Sequence, residues 1–279
     1  MNIRPAYCAG TFYPADPDDL KGMVHTFLEQ VSIKSSSEPV AGLISPHAGY
    51  PYSGPTAAVA YSQLQGREIK NVLVCSPSHM TPITGVSIFD GDYYETPLGR
   101  VPVNQEKAKE LAAFADELTC SSVGHLADAT GGAEHALEVQ LPFLQQVLQD
   151  WTLIPLVFNE YKWSNCRVLG EAIASVFDPD DTLIVASSDL YHGHDYDQAL
   201  KTDERTLNSI EAFDAKMFCE QSEQETIMAC GAGPITALIF AAKKWNARAP
   251  RVLSHTTSAD AINRTGGYVV GYAAVVIEK

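Results

Sequence analysis

The sequence predicts a single layered α/β domain over residues 1–279, with a largely parallel or mixed central sheet flanked by helices. Short apolar runs, bounded by polar residues, proline or glycine, are typical of buried strands. Amphipathic helical patterns lie between these runs, and such alternation favours a layered α/β fold. The 16 prolines and 19 glycines are spread along the chain, so no linker divides the 279 residues.

Each element follows from its local pattern. The expected strands are VAGLIS (40–45), NVLVCS (71–76), TLIPLVF (152–158), TLIVASS (182–188) and YVVGYAAVVI (268–277). The expected helices cover residues 16–29, 56–64, 105–114, 136–148, 165–176, 197–213 and 235–245. Pro142 lies inside the fourth helix pattern, so that helix either starts later or is kinked. Alternating large residues around Asp90-Gly91 predict a hairpin or meander at the sheet edge within residues 87–103.

The composition argues against several classes of function. The chain has 19 basic and 34 acidic residues, a formal net charge of −15, which disfavours nucleic acid and anionic membranes as partners. We see no signal peptide and no apolar stretch long enough to cross a bilayer. The six cysteines form no CxxC pair and are expected to be reduced in a cytoplasmic protein.

Three predicted strands run directly into polar turns that contain histidine. The turns are Ser-Pro-His47, Ser-Pro-Ser-His79 and Ser-Ser-Asp189-Leu-Tyr-His192. Sites in open α/β sheets form outside the carboxyl ends of strands, so the three turns are expected to face one crevice. One such histidine alone is most simply a hydrogen-bonded residue, but three in equivalent positions favour a shared site.

His47 and His79 are candidate metal ligands, and Cys230 is the best local candidate for the third. Cys230 lies just ahead of a predicted helix in Cys-Gly-Ala-Gly-Pro, with Pro234 suited to the first turn. The positive end of a helix dipole favours the thiolate form, which binds metal or attacks as a nucleophile.

Other polar residues of these segments suggest further roles. Asp189 and His192, three residues apart, suit a general base whose imidazole is oriented by a carboxylate. Glu134, His135 and Glu138 form a polar group at the start of a helix pattern, in which Glu138 is either functional or simply solvated. The candidates for substrate contacts are Tyr52, Ser188 and His135.

Several ordered motifs resemble one family over nearly the whole chain. PAYCAGTFYP, SPHAGYPYSGP, SPSH, YETPLGRVPV, EHALEVQLPF, SSDLYH and CGAGP are similar to the motifs of the Memo family of bacterial, archaeal and eukaryotic proteins. The resemblance implies a fold like that of class III extradiol dioxygenases, whose iron is held by two histidines and one carboxylate. At matching positions this chain has His47, His79 and Cys230, with His192 at the place of the catalytic histidine and Asp189 beside it.

Cys230 is a departure from the dioxygenase pattern. A thiolate is softer than a carboxylate, which favours copper, zinc or a differently tuned iron over the usual Fe(II) site. The resemblance also implies phosphotyrosine-peptide binding and copper- or iron-dependent redox activity for eukaryotic members. For prokaryotic members it implies a radical-SAM protein and an AMMECR-type protein as partners.

Three hypotheses for function follow. The first is a metal-dependent oxidoreductase that uses Fe(II) or copper, with zinc as a further option. The second is a non-catalytic binding module whose pocket accepts a (phospho)peptide, a small molecule or an anionic ligand. The third is a thiol enzyme in which Cys230 is the nucleophile and His192 its base.

Overall fold

A nine-stranded mixed sheet lies at the centre of the computed structural model, which describes residues 2–128, 131–159, 161–263 and 266–279. A second sheet of three strands packs beside it. The strands are β1 (Ile3–Arg4), β2 (Val40–Ser45), β3 (Asn71–Pro77), β4 (Val86–Ile88), β5 (Tyr93–Thr96), β6 (Gly99–Pro102), β7 (Leu118–Cys120), β8 (Thr152–Phe158), β9 (Thr182–Ser187), β10 (His192–Gly193), β11 (Arg251–Thr257) and β12 (Val269–Glu278).

Four parallel strands form the middle of the central sheet, in the order β2, β9, β3 and β8. β12 pairs antiparallel with β2, and β4 pairs antiparallel with β8. All five predicted strands are present in the structure. Their continuous apolar runs suit a sheet that is buried on both faces. Since β2, β9 and β3 are parallel neighbours, their carboxyl ends lie side by side.

Helices cover both faces of this sheet. They are α1 (Pro17–Glu29), α2 (Tyr50–Ser62), α3 (Gln105–Ala112), α4 (Leu141–Val147), α5 (Trp163–Val176), α6 (Tyr196–Glu211), α7 (Ala215–Glu223), α8 (Ala232–Lys244) and α9 (Ser258–Ala261). Alternation along β3 shows the two layers: Leu73 and Cys75 join one apolar cluster with α5 and α8, while Val72 and Val74 join another with α1, α2 and α4. None of the described helices combines the length and apolarity needed to cross a bilayer.

The hairpin prediction was wrong about the turn and about the sheet. β5 and β6 pair across Pro97-Leu98, not across Asp90-Gly91, and they join β1 in the small sheet. A Cβ atom at Gly91 would lie 2.3 Å from the Phe89 ring, so this glycine permits close packing where we expected a turn. Gly99, with a φ of 118°, supplies the left-handed residue that the real turn needs.

Other boundaries also differ from the predictions. α2 begins at Tyr50, six residues before the predicted start, and the chain before α4 forms a short 3-10 turn over Glu138–Gln140. α4 therefore starts at Leu141, and Pro142 lies in its first turn. This is the later start that was one of the two alternatives for the segment. The sequence patterns missed α7 and the partly buried strand β11, whose residues alternate too weakly in polarity.

Candidate metal site

The two histidines and the cysteine proposed as metal ligands meet at the carboxyl ends of the central strands. His47 follows β2, His79 follows β3, and Cys230 directly precedes Gly231, which caps α8. One ligand atom from each residue lies within 4.8 Å of the others. Within this group, Nε2 of His47 and Sγ of Cys230 are 3.1 Å apart.

The loop that carries Cys230 is fastened to the end of β9. The backbone N–H of Gly231 donates to Oγ of Ser188 at 2.9 Å, and that of Asp189 donates to Sγ of Cys230 at 3.1 Å. A Cβ atom at position 231 would lie 2.3 Å from the carbonyl oxygen of Ser187, so only glycine fits there. The hydroxyl of Tyr161 also donates to the carbonyl of Cys230, at 2.7 Å. These contacts fix the position of the sulfur.

The residues around Cys230 oppose the thiolate that the start of the helix favours. Desolvation, followed by the negative charge of Asp189, raises the pKa of Cys230 above its ordinary value. The residue itself is partly exposed, but its sulfur is enclosed by His47, Ser188 and Asp189. The position ahead of α8 was predicted correctly, yet burial outweighs the helix dipole.

His47 is a buried, neutral imidazole. Burial, together with the nearby histidines 135, 79 and 192, holds the pKa of His47 well below its usual value. Its backbone N–H donates to Oδ1 of Asp189 at 2.8 Å, and its Nδ1 lies 2.9 Å from Oγ of Ser187. His47 is therefore held at its backbone N–H and at Nδ1, and its Nε2 is directed towards Cys230.

His79 is held by Glu134. The carboxylate accepts hydrogen bonds from Nδ1 of His79, at 3.0 Å, and from its backbone N–H. Burial acts against charge on both partners, but their mutual attraction prevails: the pKa of His79 is raised, and that of Glu134 is lowered to about 2. Because an ionised carboxylate only accepts, Nδ1 of His79 carries the proton of this contact, and Nε2 is the ring nitrogen that remains for a metal.

Glu134 lies among potential metal ligands, but its hydrogen bonds hold His79 in place. It forms a second group of potential metal ligands with His79 and His135. Its Oε1 already accepts from the backbone N–H groups of His135 and Ala136, at 2.9 and 2.8 Å, in addition to His79. We assign it to orienting His79, as outer carboxylates do in many metal sites.

A buried ion pair next to Glu134 supports the position of this residue. Arg4 pairs with Glu138, and the two side chains are 1% and 0% exposed. Arg4 also donates to the carbonyl of Glu134, and Tyr13 donates to Glu138. The solvated role considered for Glu138 is therefore wrong. In the sequence, only the cluster of polar residues at 134–138 pointed to a role for Glu138. Its partner Arg4 is too far along the chain for a local pattern to indicate it.

The Asp189–His192 pair has different partners from those we expected. Asp189 accepts from the backbone of His47, while Nδ1 of His192 contacts the carbonyl of Leu190 at 2.9 Å. The carboxylate thus orients the His47 loop, and a backbone carbonyl orients His192. Burial raises the pKa of Asp189 to about 7, although the His47 N–H opposes the shift. Both residues remain beside the candidate ligands.

Comparison with known proteins shows the family of the chain. The model of the Memo-like protein family matches residues 4–276. MEMO1 family proteins of Nitrosopumilus maritimus and Methanopyrus kandleri are 31% and 33% identical, and the alignments cover 98% and 100% of each chain. The chain belongs to the Memo family. An uncharacterized protein of Escherichia coli K12 shares its fold, with a TM-score of 0.56 and 13% identity over 85% of this chain and 99% of that one.

The three residues suggested for substrate contacts in this Memo family member differ in their contacts and exposure. His135 stacks between Phe12 and His79, with ring centroids 4.4 and 4.8 Å away. Tyr52 lies in the first turn of α2 and is exposed. Ser188 is buried, and its hydroxyl donates to the carbonyl of Asp189. The contacts of Ser188 hold the loops, whereas His135 lies against the ring of His79 and Tyr52 is exposed.

The donor set fits a soft or borderline metal ion. Nitrogen and sulfur atoms bound to one ion at about 2.0 and 2.3 Å lie about 3.5 Å apart in tetrahedral geometry. The 3.1 Å between His47 and Cys230 and the 4.8 Å limit for the whole group bracket this separation. Two imidazoles and one thiol suit copper, zinc or iron better than magnesium or calcium.

Proposed function

We propose that this member of the Memo family is a metal-dependent oxidoreductase whose ion is held by His47, His79 and Cys230. The observation that supports it is the convergence of these three ligand atoms within 4.8 Å at the ends of parallel strands. Iron or copper would supply a Lewis-acid and redox centre there, and zinc only the Lewis acid. With three protein ligands, the set matches the open sites typical of catalysis.

The other polar groups of the site have roles compatible with catalysis. His192 has its Nδ1 occupied by the carbonyl of Leu190, so its Nε2 can accept a proton from a bound ligand. Asp189 fixes the His47 loop through its backbone N–H. Tyr52 and His135 would contact a substrate bound beside the metal ligands. His192 thus keeps the proton-handling role expected of it, whereas Asp189 positions His47.

Metal content and metal affinity test the proposal directly. We expect protein purified without oxygen to contain iron or copper, or to bind Fe(II) or Cu(I) in equimolar amount. His47→Ala, His79→Ala and Cys230→Ser should each abolish this binding. His25→Ala, an exposed histidine on α1, and Cys120→Ser, a half-buried cysteine on β7, are matched controls that should bind normally. A wild-type protein that binds neither metal would refute the proposal.

A thiol enzyme is the second candidate, and the short distance between Cys230 and an imidazole favours it. The imidazole in contact is His47, not the His192 that we expected as the base. In this reaction His47 would accept the thiol proton while Sγ attacks an electrophile. Stoichiometric alkylation that is lost in Cys230→Ser, and that is equally fast with and without Fe(II) or Cu(I), would support this candidate over the first.

Ligand and partner remain predictions from the family resemblance. A peptide or small anionic ligand in the same pocket would be detected by calorimetry with the metal-loaded and the metal-free protein. Affinity that survives metal removal would favour a binding module without turnover. Association with a radical-SAM protein and an AMMECR-type protein would be tested by co-purification, with Cys230→Ser to show whether the metal site takes part.

A further inference from the structure

A buried hydrogen-bond network lies behind His47, on the side away from Cys230. Its centre is the hydroxyl of Ser187, the last residue of β9. This oxygen is 2.9 Å from Nδ1 of His47, 2.6 Å from the carbonyl of Ala136 and 2.7 Å from Nε2 of Gln140. Ser187 and Gln140 are 0% and 1% exposed, so water has no access to these groups.

The amide of Gln140 has one orientation in this network. It contacts the carbonyl of Pro46 at 3.0 Å, and a carbonyl requires a donor, so the contacting atom is the nitrogen. The hydroxyl of Tyr61 then donates to the amide oxygen at 2.7 Å. Because the second N–H of Gln140 points to Ser187, the serine oxygen accepts from it.

The single hydroxyl proton of Ser187 is therefore assigned by its other neighbours. The carbonyl of Ala136 can only accept, and at 2.6 Å it takes this proton. No proton is left for His47, so Nδ1 of the imidazole must donate to the serine oxygen. The opposite assignment would place the Ala136 carbonyl against a lone pair of Ser187 in a buried site, which is unfavourable.

We propose that Ser187, with its hydroxyl oriented by Gln140 and Ala136, is a positioning residue that holds His47 in the tautomer with the proton on Nδ1. Nε2 of His47 then presents its lone pair to Sγ of Cys230, 3.1 Å away. The value of this arrangement to the protein rests on the proposed function, since Nε2 is the atom that would bind the metal. The tautomer itself follows from the hydrogen bonds of Ser187 to His47, Gln140 and Ala136.

Nδ1 also faces an acceptor in two other histidines of the site, and these acceptors are simpler. Glu134 accepts from Nδ1 of His79, and the carbonyl of Leu190 accepts from Nδ1 of His192. A carboxylate or carbonyl determines the tautomer without help, whereas a serine hydroxyl can donate or accept. His47 therefore needs the additional contacts of Ala136 and Gln140, and this explains why a glutamine is buried behind the site.

Nitrogen NMR of the metal-free protein tests the proposal without any activity. In protein labelled with ¹⁵N-histidine, long-range ¹H–¹⁵N correlations identify which ring nitrogen carries the proton. His47→Gln identifies the signals of His47 by their loss. We expect a protonated Nδ1 and an unprotonated Nε2 in the wild type at neutral pH. A proton on Nε2 of His47 would overturn the proposal, whatever metal the protein binds.

Substitution of the hydroxyl tests whether Ser187 imposes the tautomer. Ser187→Ala should give a mixture of tautomers and lower the affinity for Fe(II) or Cu(I) by about 10–100-fold. Ser187→Thr, which keeps the hydroxyl, should restore both the wild-type spectrum and the affinity. Ser76→Ala is the matched control, because Ser76 is a buried serine near the end of β3 whose hydroxyl has no described partner. It should resemble the wild type.

The possible outcomes separate the two proposals. An unchanged tautomer in folded Ser187→Ala would overturn the positioning role, and folding is checked by circular dichroism. If Ser187→Ala does not fold, the wild-type and Ser187→Thr spectra decide, since both must show the proton on Nδ1. A wild type with the expected tautomer but no metal affinity would refute the metal-dependent function and leave the role of Ser187 supported.

Discussion

Glu134 holds His79 by two hydrogen bonds, one to the ring and one to the backbone. The ring contact, Oε1 to Nδ1, is 3.0 Å long, and the second bond is to the N–H of the same residue. A histidine held at both points cannot rotate away from the position at which a ring nitrogen lies within 4.8 Å of the ligand atoms of His47 and Cys230. Glu134 is 2% exposed, so water does not compete for this contact.

Glu134→Gln should therefore weaken metal binding while leaving the three ligand side chains in place. The amide is uncharged, and its nitrogen would face N–H groups that need an acceptor. We expect the affinity for Fe(II) or Cu(I) to fall by about 10–100-fold, measured by competition with a chelator. Glu29→Gln is the control, because Glu29 forms an exposed pair with His25, 3.2 Å away. Equal affinities in the two variants would contradict this role of Glu134.

The buried ion pair between Arg4 and Glu138 should be important for stability. In Arg4→Met the carboxylate of Glu138 remains buried without its charged partner, and we expect a loss of about 3–5 kcal/mol in the free energy of unfolding. Arg248→Met removes an exposed pair with Glu38 and should cost less than about 1 kcal/mol. Urea denaturation measures both. A similar small loss in the two variants would show that Glu138 is compensated in another way.

Two glycine-to-alanine changes should have opposite effects. Gly231→Ala places a Cβ atom against the backbone carbonyl of Ser187 and should destabilise the protein by about 1–3 kcal/mol, with reduced metal affinity because Cys230 is displaced. Gly22 is an exposed position of α1 where an added Cβ atom meets no other part of the protein within 4 Å, so Gly22→Ala should stabilise the protein by about 0.5–1 kcal/mol. Thermal unfolding distinguishes them. A neutral Gly231→Ala would argue against the tight contact between the two loops.

The stability of the protein should fall in mild acid because of His125. This imidazole is buried, and burial, aided by the charge of Arg4, lowers its pKa to about 3 against the hydrogen bond to the Ser87 carbonyl. The unfolded residue titrates near 6.5, so unfolding takes up a proton at any pH between the two values. Stability from His125 is thus intact above about pH 6.5 and decreases as the pH falls towards 3.

The size of this effect follows from the pKa difference. Between pH 7.5 and pH 5, His125 should account for about 2 kcal/mol of lost stability. His125→Gln, a neutral side chain that can also hydrogen-bond, should make the dependence shallower by that amount even if it is less stable at both pH values. Urea midpoints at the two pH values measure it. Parallel pH profiles for variant and wild type would contradict the low pKa.

The sequence predicted the parts of the site that local patterns encode. Apolar runs ending in polar turns placed His47 and His79 at strand ends, and the glycine-rich start of a helix placed Cys230 near them. What it could not predict was the order β2, β9, β3, which brings those ends together. Pairing between distant strands leaves no periodic trace in either strand.

The supporting contacts were missed for the same reason. Ser187 meets Gln140 across 47 positions, and Arg4 meets Glu138 across 134, with no motif common to both partners. The helix dipole that favours a thiolate at Cys230 is visible in a sequence, whereas the burial that raises the pKa of Cys230 is not. The Asp90-Gly91 turn failed similarly, since close packing against Phe89 uses the same residue type as a hairpin.

The arrangement of β2, β9 and β3 has a consequence for how the site forms. Each of the three candidate ligands is carried by a different loop, and Cys230 is 183 residues from His47 along the chain. No local segment can bind the ion by itself, so the site exists only after the sheet has assembled. A bound ion would act as a cross-link among distant parts of the chain, and occupancy of the site would report that the whole sheet has folded.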